Sequence, residues 1–184
     1  MFKRYNWCYK IFDFPKFNKK IIEQIRNLEP ITYHYTSLHR DISSDTEYNH
    51  LLLKRWQAPR SVENFIKKTL PAGYHEIGIQ VIGDGNTAGG HGAHSDKTRS
   101  FSFLYLIDTG GNNVQTRFFK EKKKPLYRKN FTVITDYSKI ELVDSVIIEP
   151  FKWYLLNQRI IHDVIGIEGI RKSITVSYHK CPIN

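Results

Sequence analysis

Apolar residues keep mostly a helical period before Gly73 and a strand period after it. Phe17, Ile21, Ile25 and Leu28 recur at helical spacing, with Asn18 placed to cap the helix and Pro30 to stop it. Val62, Phe65, Ile66, Thr69 and Leu70 form a second inward stripe that starts at Ser61, a candidate cap, and ends at Pro71-Ala72-Gly73. Residues 48–56 are read as a further helical segment. Residues 1–15 are read as a leading strand that ends at Pro15, and residues 32–36 as another strand. The polar stretch 39–50 is expected to be loop, with His39 and His50 as surface residues.

From Tyr74 onward, short runs rich in β-branched and aromatic residues predict strands over 76–83, 100–107, 114–119, 131–135, 140–148, 153–156, 162–167 and 172–179. Gly83, Gly85, Gly89, Gly90 and Gly92 punctuate the chain after the first of them. They make no phosphate loop, because the Gly-Lys-Ser/Thr ending is missing and no helix follows. They are read as a flexible loop. Many short strands between Gly, Pro and charged turns predict a mainly β sandwich or jelly roll rather than βαβ units. The expected organisation is one domain over 1–184, with a helical support region over 1–73 and a jelly-roll core over 74–180.

Charge narrows the partners. Lys and Arg total 28 against 18 acidic residues, a formal net charge of +10, which favours an anionic partner, either a small acid or a nucleic acid. Much of the excess lies in separated patches (Lys19-Lys20, Lys67-Lys68, the run from Lys120 to Lys124), which read as solvated surface. Cys8 and Cys181 lie near opposite ends and suggest neither a disulfide scaffold nor a redox pair. The first residues hold too short an apolar run for a signal peptide, and no window is long enough for a membrane span. A soluble, cytoplasmic protein with no membrane partner is the expectation.

The candidate chemistry begins at His94-Ser95-Asp96. Side chains two apart on a strand share a face, so His94 and Asp96 would present an imidazole and a carboxylate to one point. His162 offers a third ligand. Two histidines and one carboxylate with open positions form the facial site expected for non-haem Fe(II) oxygenases. Arg171 and Ser173 share a face of the last strand, where a guanidinium beside a hydroxyl makes a receptor for a carboxylate.

With these residues in place, the sequence resembles the Fe(II)/2-oxoglutarate-dependent oxygenases, in the style of the small prolyl-4-hydroxylase-like members. His94-x-Asp96, His162 and Arg171-x-Ser173 carry the resemblance, together with the apolar strand FSFLYLID before Gly110-Gly111. It spans about residues 74–180 and implies a double-stranded β-helix, a cupin-like jelly roll. It further implies Fe(II) on His94, Asp96 and His162, with 2-oxoglutarate and dioxygen as cosubstrates. Arg171 and Ser173 would hold the distal carboxylate of 2-oxoglutarate, and Lys172 would face away. Some relatives use a Lys ten residues after the second His, which here is Lys172; the Arg-x-Ser pairing favours Arg171. Relatives also carry a Tyr or Asn near the first core strand. The comparable stretch here, Val81 to Gly85, offers only Asp84, with Gln80, Tyr105 or Tyr74 as substitutes.

The implied reaction is hydroxylation coupled to oxidative decarboxylation of 2-oxoglutarate. A prolyl or other residue in a peptide or protein is the first expected substrate, a free amino acid or small metabolite the second, and a nucleobase the third. Base-repair relatives carry a second Arg six residues after the first, where this chain has Ser177. The rival reading is a non-catalytic jelly roll that binds metal or serves a structural role. Arg99 is a candidate for substrate or metal-site support, and Asn157 and Gln158 for the mouth. Tyr33, Tyr35 and Trp56 read as core, His91 as off the strand face that carries His94, and His179-x-Cys181 as a fragment without partners.

Overall fold

The computed structural model describes residues 6–28, 51, 53–83, 85–96, 99–122, 132–134 and 136–183. Two antiparallel sheets face each other. The first contains β1 (Tyr9–Phe12), β2 (Leu53–Gln57), β3 (Glu76–Ile82), β5 (Phe101–Thr109), β9 (Trp153–Asn157) and β11 (Arg171–Tyr178), in the spatial order β1-β9-β5-β11-β3-β2. The second contains β4 (Gly89–Ser95), β6 (Gln115–Glu121), β7 (Thr132–Val133), β8 (Ile140–Ile147) and β10 (Ile161–Ile167), in the order β7-β4-β10-β6-β8. Helices α1 (Lys19–Arg26) and α2 (Arg60–Thr69) cover the outer face of the first sheet. This is the expected jelly roll, a double-stranded β-helix.

Alternation along the central strands builds the layers. Phe103, Tyr105 and Ile107 of β5, Ile174 and Val176 of β11 and Ile79 and Val81 of β3 point outward. There they bury Ile22 and Ile25 of α1 and Val62 and Ile66 of α2. The intervening residues point between the sheets, where Leu104 and Leu106 meet Phe118 of β6. A strand buried on both faces shows a continuous apolar run, as β5 does.

Helix α1 is capped as its sequence predicts: the Asn18 side chain accepts a hydrogen bond from the Ile21 N–H at 3.0 Å. Helix α2 differs. Its cap is Pro59, with no side-chain bond, and Ser61 Oγ instead lies 2.7 Å from Gln24 Oε1, joining the two helices.

Two segments depart from the sequence reading. Residues 53–57 form strand β2 rather than helix, because the outer edge of β3 offers a ladder of backbone bonds from Leu53↔Ile82 to Gln57↔Gly78. Tertiary pairing overrides a weak local preference there. Gly89 to Gly92 belong to β4, not to a loop, and β10 fixes them. Among the described residues, the first 73 positions therefore contribute two strands as well as two helices. The strand expected over 32–36, the loop over 39–50, and Tyr33, Tyr35 and Asp84 lie outside the described residues. Among the described residues, no helix is long and apolar enough to cross a membrane.

Gly110 sets the entry of β11. Its φ of +78° suits glycine, and an added Cβ would come within 2.9 Å of Arg171 Cβ. Its carbonyl accepts from the N–H groups of Glu168 (2.7 Å) and Gly169 (2.8 Å), closing the turn before Arg171. Gly110→Ala is expected to cost about 1–3 kcal/mol from the strained backbone alone. A fall in the urea midpoint with an unchanged slope would show it.

Candidate functional site

His94 and His162 are directly opposite each other on β4 and β10, and their ring centroids are 4.4 Å apart. Asp96 follows β4, two residues after His94. Its N–H bonds to the Gln158 carbonyl at 3.0 Å, which fixes it beside the turn into β10. His94, Asp96 and His162 each offer a ligand atom, and these atoms lie within 4.8 Å of one another. Among the described residues this is the one such group of His, Cys, Asp and Glu. His179 stacks on His75 instead, with centroids 3.7 Å apart.

Hydrogen bonds orient the donors. His94 Nδ1 lies 2.7 Å from the Gly92 carbonyl and His162 Nδ1 lies 2.8 Å from the Ile160 carbonyl. A carbonyl only accepts, so each Nδ1 carries the proton and each Nε2 keeps its lone pair. Burial, the leading cause, lowers the pKa of His162 and favours the neutral ring. Arg99 Nη2 donates to Asp96 Oδ1 at 3.0 Å and lies 2.9 Å from Oδ2. Oδ2 is buried and accepts no hydrogen bond. A buried carboxylate whose partner among the described residues is Arg99 alone, beside two ligand-ready imidazoles, fits a divalent cation. Arg99, with a side chain 14% exposed, thus supports the candidate metal centre rather than forming a surface ion pair.

Strand β11 supplies the rest. Arg171, Ser173, Thr175 and Ser177 face the space between the sheets, and all four are buried. Lys172 faces the helices, where its Nζ donates to the Arg26 carbonyl at 2.8 Å and to the Ile25 carbonyl at 3.4 Å. That places its charge on the negative end of α1. Arg171 Nη1 donates to the Thr109 carbonyl at 3.3 Å, and burial lowers its pKa to about 10, so it remains charged at neutral pH. Among the described residues it forms no ion pair. A buried guanidinium without a carboxylate fits an anionic ligand. Gln80 lies opposite Ser173 on β3, on the same inner face.

Tyr105 is a correction. It points to the helices, fully buried against Phe17 and Trp153, because the odd-numbered residues of β5 face outward. Tyr74 also sits on that side, edge-on to Tyr178. Trp56 is core, as expected. Asn157 ties down the N-terminal segment through a 3.1 Å bond to the Trp7 carbonyl, while Gln158 Oε1 is buried without a partner.

His91 is the second correction. It shares a face with His94, and their rings meet edge-on at 5.0 Å. A bulge is the cause: His94↔His162 and His91↔Val164 pair three residues of advance on β4 with two on β10. The glycines at 89, 90 and 92 were the signal, since glycine inside a strand marks a bulge. Two further features escaped the sequence reading. Asp163, fully buried on the outer side of β10, accepts from Arg117 Nη2 (2.7 Å), Arg117 Nε (3.0 Å) and Tyr137 Oη (2.8 Å), bracing the strand that carries His162. Arg55 of β2 reaches the inner face, where Nη2 donates to Thr175 Oγ1 at 3.1 Å.

No protein-family model matches the sequence, and no curated protein matches it. Solved structures do. A prolyl hydroxylase from Trichoplax adhaerens, solved with a hypoxia inducible factor oxygen degradation domain peptide fragment, is similar at a TM-score of 0.53 and 15% identity, over 92% of this chain and 82% of that one. E. coli ycfD gives 0.47 and 16% identity, over 74% of this chain and 35% of that one. A Pseudomonas putida prolyl-4-hydroxylase gives 0.39 and 13%, over 73% and 79%. The likeness to the Trichoplax adhaerens enzyme shows that the chain has a prolyl-hydroxylase-like fold.

The division of labour on β11 is directly testable. Lys172→Met should lower stability by about 1–3 kcal/mol, the cost of leaving buried helix carbonyls unpaired, and leave binding of a small dicarboxylate unchanged. Arg171→Gln should do the reverse, which calorimetric titration alongside urea unfolding would resolve.

Proposed function

We propose that the protein is an Fe(II)- and 2-oxoglutarate-dependent oxygenase that hydroxylates a residue of a peptide or protein, a prolyl-like residue first, or a free amino acid. The observation that carries this reading is the placement of four groups on one interior space. His94, Asp96 and His162 offer ligand atoms within 4.8 Å of one another, and Arg171 is buried on the inner face of β11 with no carboxylate partner among the described residues. A purely structural jelly roll has no use for a buried, unpaired guanidinium. A metal-binding protein without a cosubstrate would need the three ligands but not Arg171. The peptide bound to the Trichoplax adhaerens enzyme supports a peptide substrate for this fold.

In this reading His94 Nε2, His162 Nε2 and a carboxylate oxygen of Asp96 would hold the metal. Bound iron and 2-oxoglutarate supply the oxidising chemistry, with dioxygen as oxidant and succinate and carbon dioxide as products. The chain's own residues bind, orient and exclude water. Arg171 takes the distal carboxylate through its planar fork, and the Ser173 hydroxyl is a second donor beside it. Gln80 flanks Ser173. Leu104, Leu106 and Phe118 wall the interior with apolar surface, which limits access of water. Arg99 keeps the Asp96 carboxylate turned toward the histidines. No side chain needs to serve as a strong general base.

Aerobic turnover tests the reading. With Fe(II) and ascorbate, the wild type should convert 2-oxoglutarate slowly to succinate even without its substrate. His94→Ala should abolish this, and Arg171→Gln should raise the 2-oxoglutarate concentration required by about tenfold or more, the loss of a charge-assisted bond. Metal-loaded, folded wild-type protein that forms no succinate would contradict it.

A further inference from the structure

Beyond the metal ligands and Arg171, the inner face carries a second guanidinium with an incomplete set of partners. Arg55 and Gln80 pair across β2 and β3, and Gln80 pairs in turn with Ser173 of β11. From that position the Arg55 side chain lies over Gly78, where any Cβ would meet its Nε at 2.7 Å. Glycine at 78 is what makes room for it. Nη2 makes three contacts: Thr175 Oγ1 at 3.1 Å, Ser177 Oγ at 3.4 Å and Glu76 Oε2 at 3.1 Å. Nε is buried and has no hydrogen-bond partner among the described residues.

This guanidinium stands at the same end of the sheets as the candidate metal centre. Asp96 bonds to the Gln158 carbonyl, Gln158 to the Ser100 carbonyl, and Ser100 to the carbonyl of Tyr178, the neighbour of Ser177. After burial, repulsion from Arg99 is the second cause that lowers the Arg55 pKa, to about 10, and attraction to Asp96 partly offsets it. Arg55 is charged at neutral pH. The carboxylates that face the two arginines are Asp96, held by Arg99 and required by a metal, and Glu76, whose side chain is 44% exposed. An ion pair to a half-exposed carboxylate is weak and exchangeable. A cavity of about 800 Å³ reaches Arg55 at the outer edge of the sheet, on the α2 side, where Trp56, Tyr74, Asn64 and Lys67 also line it. Ser102 Oγ, on the inner face between Ser177 and Leu156, is another buried hydroxyl with no partner.

We infer that Arg55 is the substrate-reading residue of this site, and that the substrate bears a carboxylate which Arg55 takes in place of Glu76. The inference rests on the oxygenase reading and names its substrate class: an anionic residue or amino acid rather than a neutral one. Gly78, Thr175 and Ser177 are the cradle that holds the fork in position. The carboxylate can belong to an acidic side chain in a peptide or to the α-carboxylate of a free amino acid.

The probes are matched pairs that differ by one charge: N-acetyl-Pro-Glu-amide against N-acetyl-Pro-Gln-amide, and proline against prolinamide. Each is titrated calorimetrically, without oxygen, into protein loaded with Fe(II) and 2-oxoglutarate. The anionic member of at least one pair should bind about tenfold or more tightly than its neutral partner, a charge-assisted hydrogen bond's worth of discrimination. The first pair responding indicates a peptide, the second a free amino acid. Arg55→Met should erase the preference, and Arg55→Lys should keep part of it. Glu76→Gln, which removes the competing carboxylate, should raise affinity for the anionic probe; a merely structural Arg55–Glu76 pair would lose stability and gain no affinity. Equal or absent binding of both members in both pairs, or a preference that survives Arg55→Met, overturns the inference. In that event 2-oxoglutarate binding to the same protein tells the two claims apart: if it persists, only the carboxylate assignment fails.

Discussion

Strand β11 is buried on both faces, and the two faces hold opposite chemistries. Ile174, Val176 and Tyr178 join the core beneath the helices, and Arg171, Ser173, Thr175 and Ser177 line the space between the sheets. A slip of one residue would exchange the two sets, putting four polar groups into an apolar core. The register is therefore held from both sides, by seven pairs with β3 and eight with β5. Lys172 is the one charged residue on the apolar face, and the C-terminal carbonyls of α1 satisfy it. Placement of a cation at the floor of the interior follows from this alternation.

The second sheet solves a different problem, bringing three ligand atoms together from two strands and a loop. Direct opposition of His94 and His162 aligns the rings, and backbone carbonyls two residues back in each strand select the tautomer. Behind them, the Asp163–Arg117–Tyr137 cluster lies on the far face of the sheet, and Tyr137 Oη also accepts from the Ala93 N–H at 3.1 Å. One buried carboxylate thereby fastens β10 to β6 and, through Tyr137, to β4. Support of this kind restricts how far the ligand strands can separate.

Much of this was legible because its signals are local. The period change near Gly73, the Asn18 cap, the apolar run of β5, and the His-x-Asp and Arg-x-Ser spacings each depend on a few neighbouring residues. The missed features depend on distant partners. Residues 53–57 are a strand because β3 presents an edge to them, and Tyr105 faces the helices because of the phase of β5, which spacing within β5 alone does not reveal. His91 joins the face of His94 through a bulge that only pairing with β10 defines. Arg55 looked like one basic residue among many, and its burial over Gly78 comes from strands brought together by the fold.

In the proposed function a small dianion would be held by Arg171 on the first sheet and by a metal on His94, Asp96 and His162 of the second. Anaerobic titration of the Fe(II)-loaded protein with 2-oxoglutarate tests it most directly, because a 2-oxo acid chelated to ferrous iron produces a visible charge-transfer band. A saturating band is expected in the wild type, none in His94→Ala, and in Arg171→Gln a band that needs far more 2-oxoglutarate. A folded, iron-loaded wild type that gives no band would contradict it.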